Sequence, residues 1–251
     1  MSTEHLRTYI ANLPVGTMRL PLQREEDAIT AVDINNLPIG IVTGSNLIQF
    51  SKDASSQIKS SVALCLLAAQ RVAGNDPVVA TPQQWIDRHN KVLTNLNWRI
   101  ERGGKVESKF DNINLAVHEA IIPFLTAAFG GAVAAGALII TALKQLKEMD
   151  KTAPWITLFD RESRRFDVTE YQFSVVDVKN DQVELSLASA RFGASYGRTQ
   201  VLFFKITDKQ ATFSSASETL STNTDLLETM NSGLKDKLAG FAESYIRSLP
   251  L

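Results

Sequence analysis

In the first half of the chain, apolar positions recur mostly at helical spacing. One helix is predicted over 54–73, with Asp53 as its N-cap and Gly74 as its stop signal. Its apolar residues cover more than one side, so we expect it to be buried on more than one face. The run 81–84, Thr-Pro-Gln-Gln, predicts the start of a second helix, because it combines an N-cap, an early proline and a glutamine. Gly103-Gly104 predicts a small hairpin.

The segment 120–143 is the most unusual in composition. It contains no charged residue, and only Thr126 and Thr141 carry polar side chains. This length and apolarity meet the loose criterion for a helix that spans a membrane. The same residues would also suit a buried helical pair in a folded core.

Features inside this segment argue against a permanent membrane span. Pro123 lies near its start, and Gly130-Gly131 interrupts it before a run of small residues. We therefore predict two helices, at 114–129 and 132–149, that meet at the glycine pair and pack as a hairpin. Alanine, leucine and isoleucine cost little in lipid, so such a hairpin would also be stable in a membrane once it was released.

From Pro154 onward, apolar and polar positions mostly alternate, which predicts strands. Val201-Leu202-Phe203-Phe204 breaks this alternation, because four apolar residues follow one another within the stretch 197–213. Such a run is typical of a strand buried on both faces, so we predict the central strand of a sheet there. The other predicted elements are strands at 155–159, 166–178 and 183–187, a charged turn at 160–165, a turn at Asn180-Asp181 and an amphipathic helix at 225–248.

Helices that come first and strands that come later predict an α+β fold, in which helical hairpins pack on the faces of a mostly antiparallel sheet. A chain of 251 residues could form one large domain or two small ones. We expect one domain over 1–251, with an N-terminal arm at 1–44 and a C-terminal helix at 216–251.

The charge balance bears on the possible partners. The net charge of −1 argues against nucleic acid, since a surface that binds phosphate backbones needs an excess of lysine and arginine. The first residues show no apolar segment of the kind that secretory signals contain. We therefore expect no nucleic-acid partner and no recognisable signal peptide.

Residues that could carry out chemistry are scarce. The run 193–197, Gly-Ala-Ser-Tyr-Gly, has the spacing of a nucleophile elbow, but an apolar strand follows it where the elbow requires a helix. Gly130-Gly131 lacks the preceding strand of a dinucleotide site. The histidines His5, His89 and His118 are isolated and have no metal-site spacing. We expect a protein that is not an enzyme and that holds no cofactor and no metal.

Cys65 is the only cysteine of the chain, which excludes an internal disulfide. Its neighbours Leu64 and Leu66 favour a small hydrophobic residue of the core. The alternative hypothesis is a thiol that is acylated by a fatty acid.

Basic residues after Pro154 cluster in the predicted turns. The simplest interpretation is an ordinary solvated surface. The alternative is a surface that meets lipid headgroups, where each basic side chain near an anionic membrane contributes about 1 kcal/mol. The headgroup-facing candidates are Arg161, Arg164, Arg165 and Arg198.

The run 200–208, Gln-Val-Leu-Phe-Phe-Lys-Ile-Thr-Asp, resembles the Cyt family of cytolytic δ-endotoxins, whose penultimate core strand carries a very similar sequence. Residues 153–162 resemble the strand entry of that family, and 114–146 resemble its second helical hairpin. The resemblance covers roughly 45–215. The N-terminal residues, the long C-terminal helix and the arginine-rich turn depart from the family pattern.

The resemblance implies a single three-layer domain, with a mostly antiparallel sheet between two layers of helical hairpins. The fungal volvatoxin and the Evf-type bacterial virulence factor share that architecture. The implied activity is that of a pore-forming toxin, which binds phospholipid membranes without a protein receptor, forms homo-oligomers on the membrane and permeabilises it. We expect a soluble monomer or dimer that is released or secreted and then acts at the membrane of a target cell. The alternative is a non-lytic virulence or effector protein of the same fold, which binds lipid or a fatty acyl group.

Two elements are rival candidates for the part that enters the membrane. They are the apolar hairpin at 120–143 and the long strands at 166–213, and the sequence favours neither. The candidates for membrane insertion or lipid binding are Phe124, Leu125, Phe129, Val133, Leu138, Ile139, Val201, Phe203 and Lys205.

Overall fold

The computed structural model describes residues 3–17, 32–109, 116–129, 136–193, 201–203 and 212–249. Its helices are α1 (Thr3–Ala11), α2 (Ser56–Asn75), α3 (Pro82–Asn95), α4 (Val117–Ala128), α5 (Ala137–Gln145), α6 (Pro154–Ser163) and α7 (Thr224–Tyr245). Its strands are β1 (Gly40–Thr43), β2 (Asn46–Phe50), β3 (Arg99–Lys109), β4 (Arg164–Arg165), β5 (Val168–Lys179), β6 (Gln182–Gly193), β7 (Thr212–Asn223) and β8 (Ile246–Ser248). Short 3₁₀ turns lie at Leu146–Glu148 and Val201–Phe203.

The strands described form one sheet in the order β3-β7-β6-β5-β2-β1-β8, and β4 pairs with β5. The pairing of β2 with β5 is parallel, whereas the other pairings are antiparallel. A two-residue turn at Asn180-Asp181 joins β5 to β6, and both residues have positive φ, as a type I′ hairpin requires. The predicted turn and the mostly antiparallel sheet are thus confirmed.

Helices cover both faces of this sheet. Phe213 of β7 contacts Phe124 of α4, with ring centroids 6.1 Å apart. Glu218, which lies an odd number of residues further along the same strand, accepts hydrogen bonds from Asn90 of α3. Because successive side chains of a strand point to opposite faces, α3 and α4 must lie on opposite sides of the sheet. The predicted three-layer α+β architecture is confirmed.

Helix α2 is the most deeply buried helix that the structure describes, and it packs against α3 and α7. Its N-cap is Ser55 rather than Asp53, because the Ser55 hydroxyl accepts a hydrogen bond from the Ile58 N–H at 3.2 Å. The Ser61 hydroxyl donates to the Leu227 carbonyl and accepts from the Asn231 amide at 2.8 Å. These polar contacts fix how α2 packs on α7. The amphipathic helix predicted at 225–248 is confirmed as far as Tyr245, whereas Ile246–Ser248 forms β8 and the part of the C-terminal helix predicted at 216–223 lies in β7.

Several local predictions were wrong. The predicted strand at 155–159 lies in helix α6, where Trp155, Ile156, Leu158 and Phe159 are buried. Their spacing fits a helix as well as a strand, and Pro154 at the first helical position favours the helix. Gly103-Gly104 does not form a hairpin turn, because both glycines lie inside the continuous strand β3.

The predicted central strand at 197–213 was also wrong in its described part. Val201–Phe203 forms a 3₁₀ turn, with Val201 and Leu202 buried. Strand β7 begins only at Thr212, and Lys205 lies outside the described residues. The middle of the sheet is formed by β5 and β6 instead. Four consecutive apolar residues therefore signalled burial here, but not a strand.

Candidate functional site

Helices α4 and α5 take the place of the predicted hairpin at 114–129 and 132–149, and they touch where α4 ends and α5 begins. Gly136, which precedes α5, has a φ of 106°. A Cβ at this position would lie 2.7 Å from Cδ2 of Phe129, the residue that follows α4. Only glycine suits both the backbone angle and this close approach. The pair Gly130-Gly131 lies outside the described residues.

The outward side of the α4–α5 pair carries no charged residue in the described part of 120–143, namely 120–129 and 136–143. The most exposed positions there are occupied by Pro123, Thr126, Ala127 and Thr141. Half-buried apolar side chains surround them, and these are Ile122, Phe124, Phe129, Leu138 and Ile140. The inward side is formed by Ile121, Leu125, Ile139, Ala142 and Leu143, which are fully buried. Neither side of the pair carries a charge within 120–129 and 136–143, whereas the exposed Glu119 and Lys144 lie just outside these ranges.

A few contacts attach this pair to the rest of the protein. Nδ1 of His118 lies 2.8 Å from the carbonyl oxygen of Leu202 and must donate to it, since a carbonyl oxygen only accepts. The N–H of Leu138 donates to Oε1 of Gln49 in β2 at 3.0 Å. Ring contacts between Phe124 and Phe213 add an apolar attachment.

The structure brings together most of the residues proposed from sequence for membrane insertion. Leu125 and Ile139 are buried beneath the pair, and Phe124, Phe129 and Leu138 are half-buried along its flank. Val201 and Phe203 lie in the 3₁₀ turn that contacts α4. Val133 and Lys205 lie outside the described residues.

The three described arginines of the headgroup-facing set differ in their surroundings. Arg161 is exposed and pairs with Glu162 at 2.8 Å, and Nε of Arg164 lies 3.8 Å from Oδ2 of Asp160. These two side chains are 42 % and 36 % exposed. Arg198 lies outside the described residues.

Arg165 instead turns into the fold. Its guanidinium carbon lies 3.7 Å from the ring centroid of Trp85, and Nη2 donates to the Ser45 hydroxyl at 2.6 Å. Burial lowers the pKa of Arg165 to about 10, although Glu170 and Glu162 favour its charged form. Its guanidinium therefore lies within the fold rather than on the outer surface.

These three arginines and Arg71 of α2 line one cleft of about 600 Å³. The sequence analysis did not identify Arg71, Trp85 or Phe166, which also line the cleft. Nothing in the local sequence links residues of α2 and α3 to the end of α6, so the fold alone reveals this site.

Cys65 is fully buried in α2. Burial raises the pKa of its thiol to about 12, and a hydrogen bond with Trp98 opposes this rise. The thiol is therefore protonated at neutral pH and has no access to solvent in this conformation.

No helix in the described part of the chain combines the length and apolarity needed to cross a membrane. Among the same residues, histidine, cysteine, aspartate and glutamate side chains do not gather into a group that could hold a metal ion.

No protein-family model and no curated protein matches this chain. The solved structures that are similar to it include three described as follows. The activated Cyt2Ba monomer from Bacillus thuringiensis subsp. israelensis has 11 % sequence identity and a TM-score of 0.41, with 72 % of this chain and 98 % of that chain covered. A delta-endotoxin has 13 % identity and a TM-score of 0.39, with 86 % and 96 % covered. The Evf virulence factor has 14 % identity and a TM-score of 0.34, with 98 % and 91 % covered.

These structures include a Cyt protein, and the run 200–208 resembles the Cyt family. The architecture described above is compatible with a Cyt-like fold. The TM-scores are low, so the function proposed below rests on the residues of this chain.

Proposed function

We propose that this protein binds phospholipid membranes and permeabilises them, and that the α4–α5 pair leaves the sheet and enters the lipid. The observation that carries the proposal is the absence of charge on the outward side of this pair, in the described residues of 120–143. A helix on the surface of a globular protein normally carries charged or polar residues on its solvent side. Here the exposed polar residues in the described part of 120–143 are Thr126 and Thr141, which carry no charge, and the Thr126 hydroxyl donates to the Ile122 carbonyl within the helix.

Transfer of the apolar side chains of the α4–α5 pair from the protein surface into lipid is favourable. The buried residues of the pair, such as Leu125 and Ile139, would exchange one apolar environment for another. The half-buried side chains, such as Phe124 and Leu138, would lose their remaining contact with water, which contributes about 25 cal/mol per Å² of apolar surface. The backbone hydrogen bonds of α4 and α5 are internal to each helix, so they persist in lipid.

The polar attachments of the pair oppose release only weakly. The hydrogen bonds of His118 to Leu202 and of Leu138 to Gln49 would be broken. Each such bond contributes about 1 kcal/mol net in a protein. The larger cost of release is the apolar face of the sheet, including Phe213, that the pair would leave uncovered, so the membrane must supply comparable apolar burial.

A matched pair of charge substitutions tests the proposal. Ala127 of α4 and Ala239 of α7 are both exposed helical alanines. An aspartate at either position should change the free energy of unfolding by less than about 0.5 kcal/mol. In lipid, however, an aspartate is costly, by up to about 3 kcal/mol at the centre of a membrane-spanning helix, and Ala127 lies inside the uncharged segment. Ala127→Asp should therefore strongly reduce dye release from phosphatidylcholine vesicles, whereas Ala239→Asp should not.

Two results would count against the proposal in different ways. Equal dye release by Ala127→Asp and the unmodified protein would show that the α4–α5 pair does not enter the lipid. Intact vesicles at saturating concentrations of the unmodified protein would exclude permeabilisation altogether. Co-flotation with those intact vesicles would then identify lipid binding without lysis.

Association of several copies on the membrane is a further part of the proposal. One pair of short helices cannot enclose an aqueous path by itself, so a lesion requires several pairs. Dye release should therefore rise more steeply than in proportion to the protein concentration. A strictly proportional rise would indicate that single molecules act alone.

A further inference from the structure

The cleft of about 600 Å³ described above lies between α2, the start of α3, the end of α6 and Tyr245. Cavities of this size are typical of sites for small ligands. Its charged lining consists of four arginines and one glutamate, namely Arg71, Arg161, Arg164, Arg165 and Glu162. A cleft with this balance attracts an anion.

Two buried donors in the cleft lack acceptors. Within the residues that the structure describes, Nε1 of Trp85 and Nη1 of Arg165 are buried and have no hydrogen-bond partner. The indole nitrogen of Trp85 lies beside Gly74, which also lines the cleft. Buried polar groups are normally hydrogen-bonded, and both of these groups can only donate. An oxygen atom of a ligand or of a water molecule in the cleft would serve as their acceptor.

Arg71 adds a positive charge that no described carboxylate neutralises. Its Nη1 donates to the Tyr245 hydroxyl at 3.1 Å, and its Nε donates to the Val15 carbonyl. Its guanidinium lies over the rings of Phe241 and Tyr245. These neutral contacts hold the guanidinium in place and leave its charge available to a ligand.

The carboxylates near the cleft are partly occupied by other groups. Glu170, which favours the charged form of Arg165, pairs with Arg191 at 2.9 Å. Glu162 pairs with Arg161. Glu162 thereby offsets one of the four arginines, and the buried Asp160, 3.8 Å from Arg164, offsets a second, so the excess of positive charge rests on Arg71 and Arg165.

Phe166 lies at the edge of the cleft and is 51 % exposed. Its φ of 56° belongs to the left-handed region, which aromatic residues rarely adopt. An exposed aromatic side chain beside a cationic cleft suits a ligand that has both an apolar and an anionic part. At a membrane surface, apolar side chains such as phenylalanine are buried at the boundary between headgroups and acyl chains.

We propose that this cleft binds the phosphate group of a phosphate ester, whose oxygens accept hydrogen bonds from Arg165 and Trp85. The charges of Arg71 and Arg161 complete the recognition of the anion. A phospholipid headgroup and a free phosphate share this chemistry, and Phe166 favours the lipid. The choice of a lipid rests on the proposed function, whereas binding of the phosphate group does not.

Proton–nitrogen NMR of the indole groups provides a direct test. The chain has three tryptophans, and a Trp85→Phe variant assigns the signal of interest. Addition of glycerol 3-phosphate should shift the Trp85 indole signal more than those of Trp98 and Trp155. Sodium chloride at matched ionic strength should not shift it. The absence of any specific shift at millimolar glycerol 3-phosphate, short-chain phosphatidic acid and inorganic phosphate would overturn the proposal.

Substitutions of arginine test which charges take part. Arg165→Gln should weaken binding of glycerol 3-phosphate about tenfold, because a charge-assisted hydrogen bond is lost. Arg161→Gln changes an exposed residue, so it tests a second positive charge of the cleft without disturbing the core. Lys179→Gln, at an exposed residue of β5, is the control and should bind normally. Unchanged affinity in both arginine variants would contradict the proposal.

The same titrations distinguish a phospholipid headgroup from a free phosphate as the ligand. Tighter binding of short-chain phosphatidic acid than of inorganic phosphate, with the difference lost in Phe166→Ser, identifies a lipid headgroup. Equal affinities identify a free phosphate, which still supports the phosphate site. Dye release without phosphate binding would overturn only the cleft, and phosphate binding without dye release would overturn only the permeabilising function.

Discussion

Trp85 and His89, which lie one turn apart on α3, stack with ring centroids 5.1 Å apart and planes inclined by 23°. His89 is 1 % exposed, and its Nδ1 lies 3.2 Å from Oδ1 of Asn90. Burial lowers the pKa of His89 to about 4, a hydrogen bond with Asn90 opposes this, and the charge of Arg165 adds to it. The imidazole is therefore neutral in the folded protein at physiological pH.

This relationship predicts a loss of stability in acid. The unfolded chain gains a proton on His89 near pH 6.5, whereas the folded protein gains it only near pH 4. The contribution of His89 is therefore complete above about pH 6.5 and falls by about 3 kcal/mol as the pH approaches 4. Urea denaturation between about pH 6.5 and 4 should show that the free energy of unfolding of the unmodified protein falls by this amount. The His89→Gln variant should not show this fall. Parallel pH profiles would contradict the prediction.

Glu218 should show the opposite dependence on pH. Burial raises its pKa, a hydrogen bond from Asn90 opposes the rise, and Asp87 adds to it. Because the folded-state pKa lies above the unfolded value, the cost of ionised Glu218 is absent below about pH 4.5 and complete above the folded pKa.

Glu218→Gln should accordingly raise the free energy of unfolding at neutral pH. Glutamine keeps an oxygen that accepts from Asn90, which now donates to both Glu218 oxygens at 3.1 and 2.9 Å. The gain should shrink as the pH falls to about 4. Thermal unfolding at both pH values measures it, and a variant that is less stable at neutral pH would refute the argument.

A reversible crosslink can hold α5 on the sheet. A Cβ added at Gly40 of β1 would lie 2.7 Å from Cδ2 of Leu138 in the first turn of α5. Because Cδ2 lies two bonds beyond Cβ, the Cβ atoms of cysteines at these positions are at most about 5 Å apart, close to the separation of about 3.8 Å that a disulfide needs. The oxidised variant Gly40→Cys with Leu138→Cys should bind vesicles and fail to release dye, and reduction should restore release.

The native thiol does not complicate that experiment, because Cys65 is fully buried. Gly40→Ser with Leu138→Ser is the matched control, since it introduces similar side chains without a bond. Dye release that persists in the oxidised variant would exclude release of α5 and would favour the strands as the inserted element.

Tyr171 contributes to the attachment of α6 to the sheet. Its hydroxyl donates to Oδ1 of Asp160 at 2.6 Å, and both residues are buried. Tyr171→Phe removes this donor from a buried carboxylate, so the free energy of unfolding should fall by about 2 kcal/mol. Denaturation by urea measures the change, and a loss smaller than about 0.5 kcal/mol would show that other groups compensate.

Much of the fold followed from local patterns. The capping box at Thr81 and Gln84 placed the start of α3, because both hydrogen bonds are formed within one turn. Asn180-Asp181 placed the hairpin between β5 and β6 for a similar reason, since these residues tolerate positive φ. Caps and tight turns depend on neighbours in the chain, so the sequence specifies them directly.

The predicted strand at 155–159 was wrong because the spacing of its apolar residues fits both a helix and a strand. The four buried apolar residues of α6 satisfy both a helix and a buried strand, and contacts of Phe159 with Tyr171 and Phe173 accompany the helical form. The candidate membrane-inserting site was predicted only in part, for a related reason. The charge-free segment at 120–143 is visible in the sequence, but which of its residues face outward depends on how α4 and α5 pack.

Local patterning alone therefore determined the long helices, the strands β5 and β6 with the turn between them, and the apolar segment of this protein. Only the tertiary structure decided that Val201–Phe203 leaves the sheet, that Arg165 turns inward onto Trp85, and that Arg71 joins it in one cleft. The physical reason is that caps and periodicity are interactions between close neighbours. The cleft instead depends on packing between segments that are far apart in the chain, and no short window of sequence records that packing.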